Sequence, residues 1–279
     1  MREIDSKRIT EEVKRMCMEV NTHLSEDVSG ALEAAAGRED SPIGQRILGQ
    51  LQENLQIAGE EKIPICQDTG MAVVFIRMGQ DVHVTGSIEE AVNEGVRQGY
   101  EEGYLRKSVV GDPIERVHTK DNTPAEIHYE VVPGDEFEIT LAPKGFGSEN
   151  MSVLKMLKPA DGIEGVKQVI LDAVAAAGPN ACPPMVVGVG IGGTFEKCAL
   201  LAKKALTRKL DSESDVPWVR ELESEMLEKI NALGLGPGGL GGSVTALGIN
   251  IETYPTHIAG LPVAVNICCH VNRHIKTMI

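Results

Sequence analysis

From residue 71 onward the apolar runs of this chain do not alternate one for one with helices, which limits the folds open to it. "MAVVFIRMG" (71–79) and "DVHVTG" (81–86) are β-rich, and the short Gly-Gln-Asp turn between them predicts a hairpin. "AEIHYEVV" and "EFEITLAPKG" alternate across Pro-Gly-Asp and predict a second antiparallel pair. Runs of strands joined by turns favour an α+β fold, with helices packed around a largely antiparallel β-sheet, over a doubly wound one. Helices are expected at 7–22, where Ile9, Val13, Met16, Cys17 and Val20 share one face, at Glu26 to Ala36, and at 41–59, which opens with Ser-Pro as N-cap and N1. Further helices are expected at 87–105, 162–178, 194–208 and 216–234, with an apolar strand at 184–190 and a β-rich end at 244–269. A chain of 279 residues fits one large domain, 1–279, or two closely packed lobes, with "LDSESD" at 210–215 as the best place for a weak boundary.

The balance of 41 acidic against 27 basic residues, net −14, repels nucleic-acid phosphates and anionic lipid alike, so no nucleic acid and no membrane are expected as partners. No apolar window reaches the ~20 residues a spanning helix needs, and "MREIDSKRITEE" is no signal peptide, so the expected compartment is the cytoplasm. That reducing setting disfavours disulfides among the six cysteines, at 17, 66, 182, 198, 268 and 269, and leaves burial, metal binding or nucleophilic chemistry as their roles. No CxxC occurs, so a metal site would have to gather ligands from distant parts of the chain.

"GVGIGG" (Gly188–Gly193) matches a dinucleotide-binding pattern between a strand and a helix. It lies late in the chain, however, and two polar helices follow where a second apolar strand should come within ~30 residues. An NAD-dependent dehydrogenase is therefore a minor alternative. "GLGPGGLGG", near 234–242, follows a helix and contains proline, so it reads as a helix end and loop.

Cys66 in "PICQDTG", Cys182 in "NACPP" and Cys269 in "VNICCHVNRH" each sit in a rigid, turn-bounded setting, whereas Cys17 and Cys198 sit in helices as packing. Cys268 and Cys269 alternate across a strand end, so only one of them can face a shared site. Taken singly, each cysteine is also well explained as a small buried apolar residue.

In order along the chain stand "PICQDTG", "LRKSVV", "GFGSENMS", "ACPP", "GIGGT" and "GLGGSVTALGINIETYPTHIAGLPVAVNICCHVNRHIK". In these landmarks nearly the whole chain resembles the cluster-binding part of class I fumarate hydratases and L(+)-tartrate dehydratases, the iron-sulfur hydro-lyases. The resemblance implies a 4Fe-4S cluster held by Cys66, Cys182 and Cys269, with Cys269 preferred to Cys268 for its spacing to the following arginine and "IK". It implies substrate contacts from Gln67, Arg106 and Gly147, and catalytic roles for Asp68 and His257. Phe146 stands where a glycine is common in the family's loop. His270, Arg273, His274 and Lys276 make a basic C-terminal end to which no catalytic role is given.

In single-chain members of that family a second domain follows this region, so the resemblance implies an α subunit. A separate β subunit carrying the C-terminal fumarase domain would complete the site in an (αβ)2 assembly. The expected substrate is a small dicarboxylate: fumarate, hydrated to L-malate, comes first, and L(+)-tartrate, dehydrated to oxaloacetate, second. A non-catalytic iron-sulfur sensor using the same cysteines is the remaining alternative.

Overall fold

Helices form where the apolar spacing puts them. The structure, a computed structural model, describes residues 1–279. Arg2–Asp5 (β1) leads into Ser6–Thr22 (α1), Glu26–Arg38 (α2) and Pro42–Glu61 (α3). Then come Met71–Gly79 (β2), Val82–Thr85 (β3), Ile88–Glu102 (α4), Glu126–Val132 (β4), Phe137–Lys144 (β5) and the single-turn Phe146–Glu149 (α5). Val153–Leu157 (β6), Gly162–Ala177 (α6), Met185–Gly192 (β7), Phe195–Ala205 (α7) and Pro217–Asn231 (α8) follow. Ala246–Tyr254 (β8), Leu261–Cys268 (β9) and Ile275–Met278 (β10) end the chain. Asp5 caps α1 by accepting the Lys7 N–H at 2.9 Å, and Ser41 caps α3 by accepting the Gly44 N–H at 3.3 Å, as its Ser-Pro start implies. No helix is long and apolar enough to cross a membrane.

The chain forms two compact units, each discontinuous in sequence: 1–25, 54–146 and 273–279 in the first, 26–53 and 147–272 in the second. Residues 210–215 fall inside the second, between α7 and α8.

In the first unit a four-stranded sheet runs β10-β5-β2-β4, antiparallel except for the parallel β2–β4 pair, and β1 pairs in parallel with β3 apart from it. Neither expected hairpin forms. β2 carries a nearly continuous buried run and takes a neighbour on each side, β5 and β4, which therefore do not pair with one another. The Gly-Gln-Asp turn instead donates its N–H groups to the carbonyls of Glu136, Val132 and Gly134, which leaves β3 to join β1. Met16, Val20, Val74, Ile76, Val96, Phe137, Ile139 and Leu141 fill the core under α1 and α4. At about 1.5–3 kcal/mol for each large apolar side chain withdrawn from water, this layer fixes the sheet on which the first candidate segment rests.

The second unit has the sheet order β6-β9-β7-β8, antiparallel except for β7–β8. Period-two alternation sorts its faces: Val187, Val189 and Ile191 of β7 and Val263, Val265 and Ile267 of β9 pack with α6 and α8. On the other face Ala264 meets Cys198 and Ala202 of α7. Gly188 and Gly190 point to that same face, where a β-carbon would overlap the carbonyls of Ala202 and Cys198. The "GVGIGG" run is thus a buried strand that lets a helix approach closely, and the Gly193 N–H is taken by the Pro255 carbonyl. It is not a phosphate-binding loop.

Candidate functional site

In the first unit the segment Ile65–Gly70 is tied down atom by atom before it enters β2. Asp68 Oδ1 accepts the N–H of Gly70 (3.1 Å), and its Oδ2 accepts that of Phe146 (2.9 Å). Thr69 Oγ1 donates to the Arg106 carbonyl (3.1 Å), and the Tyr100 hydroxyl lies 2.8 and 3.0 Å from the carbonyls of Thr69 and Gly70. Burial pushes the Tyr100 hydroxyl far above its ordinary pKa, so it stays a protonated donor. Asn122 Nδ2 also donates to Gly70 O (3.1 Å), and Arg273 Nη2 donates to Asp68 O (2.8 Å). Gly70 itself has φ +77° and lies against the Lys144 backbone, a β-carbon there falling 2.8 Å from its N and C atoms. Only glycine suits that position.

What this rigid turn presents is chemistry. Cys66 is half-buried with its Sγ 3.6 Å from Gln67 Oε1, and Gln67 is exposed. Arg106, whose backbone abuts the turn through Thr69, is also exposed. Five N–H donors in a planar fork make such a side chain a natural receptor for a carboxylate.

In the second unit strand register brings the next two cysteines together. Val186 of β7 is paired with Cys268 of β9, so Cys182, just before β7, and Cys269, just after β9, flank the same end of the ladder. Cys182 has left-handed backbone, φ +51°, at the close of a short 3-10 turn, and its carbonyl accepts from His270, from the ring Nδ1 at 3.0 Å and the backbone N at 3.5 Å. A carbonyl only accepts, so Nδ1 carries the proton. Gly147 belongs to this end as well. Its helical turn leads to Ser152, whose Oγ accepts from Ile267 N (3.1 Å) and Asn266 Nδ2 (2.7 Å), and a β-carbon at Gly147 would meet nothing within 4 Å.

His257 is not brought to this end. It sits in the turn from β8 to β9, beside Gly192, at the opposite end of the ladder from Val186 and Cys268. Five register steps between Val186 and Ile191 already span about 17 Å at about 3.3 Å each. The side chain is exposed, and its Nδ1 accepts from Ala259 N (3.2 Å). Within one chain, the strand Leu261–Cys268 separates His257 from Cys269.

The other cysteines are core. Cys17 and Cys198 are wholly buried and Cys268 is 5% exposed. Burial pushes the Cys17 thiol up strongly and the Cys198 thiol to about 11, so both stay neutral and poor ligands at neutral pH. Cys198 spends its proton on the Gly190 carbonyl (3.2 Å). No disulfide links the six. In the metal-free native chain at about pH 8, iodoacetamide should therefore label Cys66, Cys182 and Cys269 while sparing Cys17, Cys198 and Cys268 until denaturant is added. Peptide mass spectrometry reads the pattern, and early labelling of Cys268 would contradict it.

No group of three or more His, Cys, Asp or Glu side chains converges to hold a metal ion. A lone zinc needs all its donors within about 2.0–2.3 Å of one point, whereas each thiolate of a 4Fe-4S cluster takes its own iron. Cys66, Cys182 and Cys269 are each solvent-reachable at a turn-bounded strand end, a setting in which a thiolate can take an iron of its own.

Two residues that sequence reasoning set aside matter to this geometry. Arg273, read as part of a basic C-terminal end with no catalytic role, is 3% exposed and bonded to the Cys66 turn, and Asn21, in the last turn of α1, is wholly buried as its partner. A polar asparagine on the apolar face of α1 was the available signal.

A model of the family "Fumarate hydratase (Fumerase)" matches residues 10–278. A protein of Methanocaldococcus jannaschii, provisionally named L(+)-tartrate dehydratase subunit alpha, is 44% identical over 273 residues, covering 95% of each chain. The L(+)-tartrate dehydratase subunit alpha of Escherichia coli strain UTI89 is 32% identical over 270 residues, and that of strain K12 31%, each alignment covering 95% of this chain and 89% of the relative. Matched along almost its whole length, the chain belongs to the fumarate hydratase family of hydro-lyases.

Proposed function

We propose that this chain is the cluster-carrying α subunit of an iron-sulfur hydro-lyase that dehydrates L(+)-tartrate to oxaloacetate. The observation that carries the reading is the arrangement of accessible thiols: Cys66, Cys182 and Cys269 stand at turn-bounded strand ends, with the exposed Arg106 beside the first. The names of the relatives favour tartrate over fumarate. The family description favours the second reading, hydration of fumarate to L-malate, which the same residues would serve.

Cys66, Cys182 and Cys269 would hold a 4Fe-4S cluster, whose iron lacking a protein ligand supplies Lewis acidity for a departing hydroxyl. Arg106 takes one substrate carboxylate through its guanidinium fork. Gln67, with its oxygen toward the Cys66 thiol, offers its amide N–H groups to a substrate hydroxyl or carboxylate. The open surface over Gly147 lets a ligand approach its backbone closely. Asp68 has both carboxylate oxygens engaged by backbone N–H groups, so it shapes the turn rather than moving a proton. The proton on the carbon next to the leaving hydroxyl is left to a base on a β subunit, which the relatives' subunit names suggest, in an (αβ)2 assembly. Loss of that proton and of the neighbouring hydroxyl as water gives the enol of oxaloacetate, which then ketonises.

The test is anaerobic reconstitution of the chain with its partner subunit, followed by assays of oxaloacetate from L(+)-tartrate and of fumarate–malate interconversion. A site that hydrogen-bonds the second hydroxyl of tartrate should favour it in kcat/KM by up to about 10⁴-fold. The opposite ratio establishes the second reading. A fully loaded αβ complex that turns over neither substrate sinks both.

A further inference from the structure

Arg273 lies four residues past Cys269 and is buried at 3% exposure. Its Nη1 donates to Asn21 Oδ1 (2.7 Å) and its Nη2 to the Asp68 carbonyl (2.8 Å), while Nε is buried with no acceptor. Neither acceptor is a carboxylate. Burying a guanidinium without an ion pair, and with one N–H unsatisfied, is costly, and a methionine would fill similar space without that penalty. Packing therefore does not account for an arginine here.

What the fork holds is specific. Asn21 is wholly buried on α1, where its Nδ2 donates to Cys17 O (2.8 Å) and its own carbonyl accepts Ile65 N (2.9 Å). Asn21 thus grips the residue before Cys66, and Arg273 ties the same asparagine to the carbonyl of the second residue after it. A β-carbon at Gly145 would fall 3.0 Å from Asp68 Oδ2 and 3.8 Å from Arg273 Nη2, so the guanidinium also closes the space next to the Asp68 carboxylate. We infer that Arg273 is a positioning residue for the candidate site: its planar fork clamps Asp68 to Asn21 and so fixes the turn that carries Cys66 and Gln67. The inference rests on the proposed role of Cys66 only for its effect on cluster loading. Lysine, a point donor on a flexible stem, cannot span two acceptors in the same plane.

The experiment uses the full chain and the variants Arg273→Lys and Asn21→Ala, with Arg208→Lys as a control at another largely buried arginine, one bonded to Glu223, Glu252 and Asn250. Thermal melting, amide hydrogen exchange by peptide, and iron bound per chain after anaerobic exposure to limiting ferrous ion and sulfide are measured on each. Amides of 65–70 should exchange about 10- to 100-fold faster in Arg273→Lys and Asn21→Ala, and iron uptake should fall by roughly half or more. Arg208→Lys should lower the melting temperature and leave both readouts at 65–70 and iron unchanged. If Arg273→Lys does not fold, Asn21→Ala decides, since it removes one arm of the clamp and keeps the Ile65–Asn21 backbone bond. Wild-type exchange at 65–70 in the folded variants overturns the clamp, as does an equal effect from Arg208→Lys. If the wild-type chain takes up no iron, the proposed function falls while the exchange readout still judges Arg273.

Discussion

Serine in place of Cys66, Cys182 or Cys269 should abolish cluster assembly and lower turnover by more than about 100-fold, while Cys268→Ser should keep both near wild type. The size of the loss follows from bonding. Changing a residue that merely orients a metal ligand costs about 10–100-fold, and losing the ligand itself must exceed that. The contrast between adjacent cysteines follows from register. Cys268 is still in the β9 ladder opposite Val186 and is buried at 5% exposure, whereas Cys269 has left the strand and is half-buried. A serine at 268 burdens the fold by about 1–3 kcal/mol for its buried hydroxyl and leaves the thiols at the strand end untouched. Iron and sulfide content with electron paramagnetic resonance after anaerobic reconstitution distinguishes the four variants. A cluster that survives Cys269→Ser and is lost in Cys268→Ser would move the third ligand by one residue.

Gly190→Ala should cost about 3 kcal/mol or more and lower the melting temperature by roughly 6–12 °C, by circular dichroism, without any effect of added nucleotide. A β-carbon at this position would overlap the Cys198 carbonyl and stand 2.8 Å from Ala202 N and 2.9 Å from Leu201 Cβ. Two of those three atoms are helix backbone, so no rotamer change relieves the clash and α7 must move off the sheet. Gly147→Ala is the control for a glycine whose added carbon meets nothing within 4 Å, and it should melt like the wild type. Were the glycine run a nucleotide loop, Gly190→Ala would instead melt normally and lose a ligand.

The elements of the fold were readable because helical and strand periodicities are local. The partners of those elements were not. β2 looked like half of a hairpin because only two residues separate it from β3, yet it draws both of its neighbours from residues 126–144. Cys66, Cys182 and Cys269 were singled out by rigid surroundings that the structure reproduces as a turn, a left-handed residue and a strand end. His257 lies only twelve residues before Cys269 in sequence, yet eight of those residues form a strand, so within one chain the two stand at opposite ends of the ladder. Arg273 and Asn21 were passed over because a polar side chain pairing with a residue more than two hundred positions away leaves no pattern in either neighbourhood.

The β7–β9 ladder also bears on how metal could be captured at all. Cys182 and Cys269 are separated by more than eighty residues of chain, and drawing the ends of so long a loop together costs about 4 kcal/mol in configurational entropy. Folding of the second unit meets that cost through backbone hydrogen bonds that run to Val186 and Cys268. A cluster held by both of these proposed ligands would therefore meet a loop that folding has already closed, and its binding energy would not be spent on closing it.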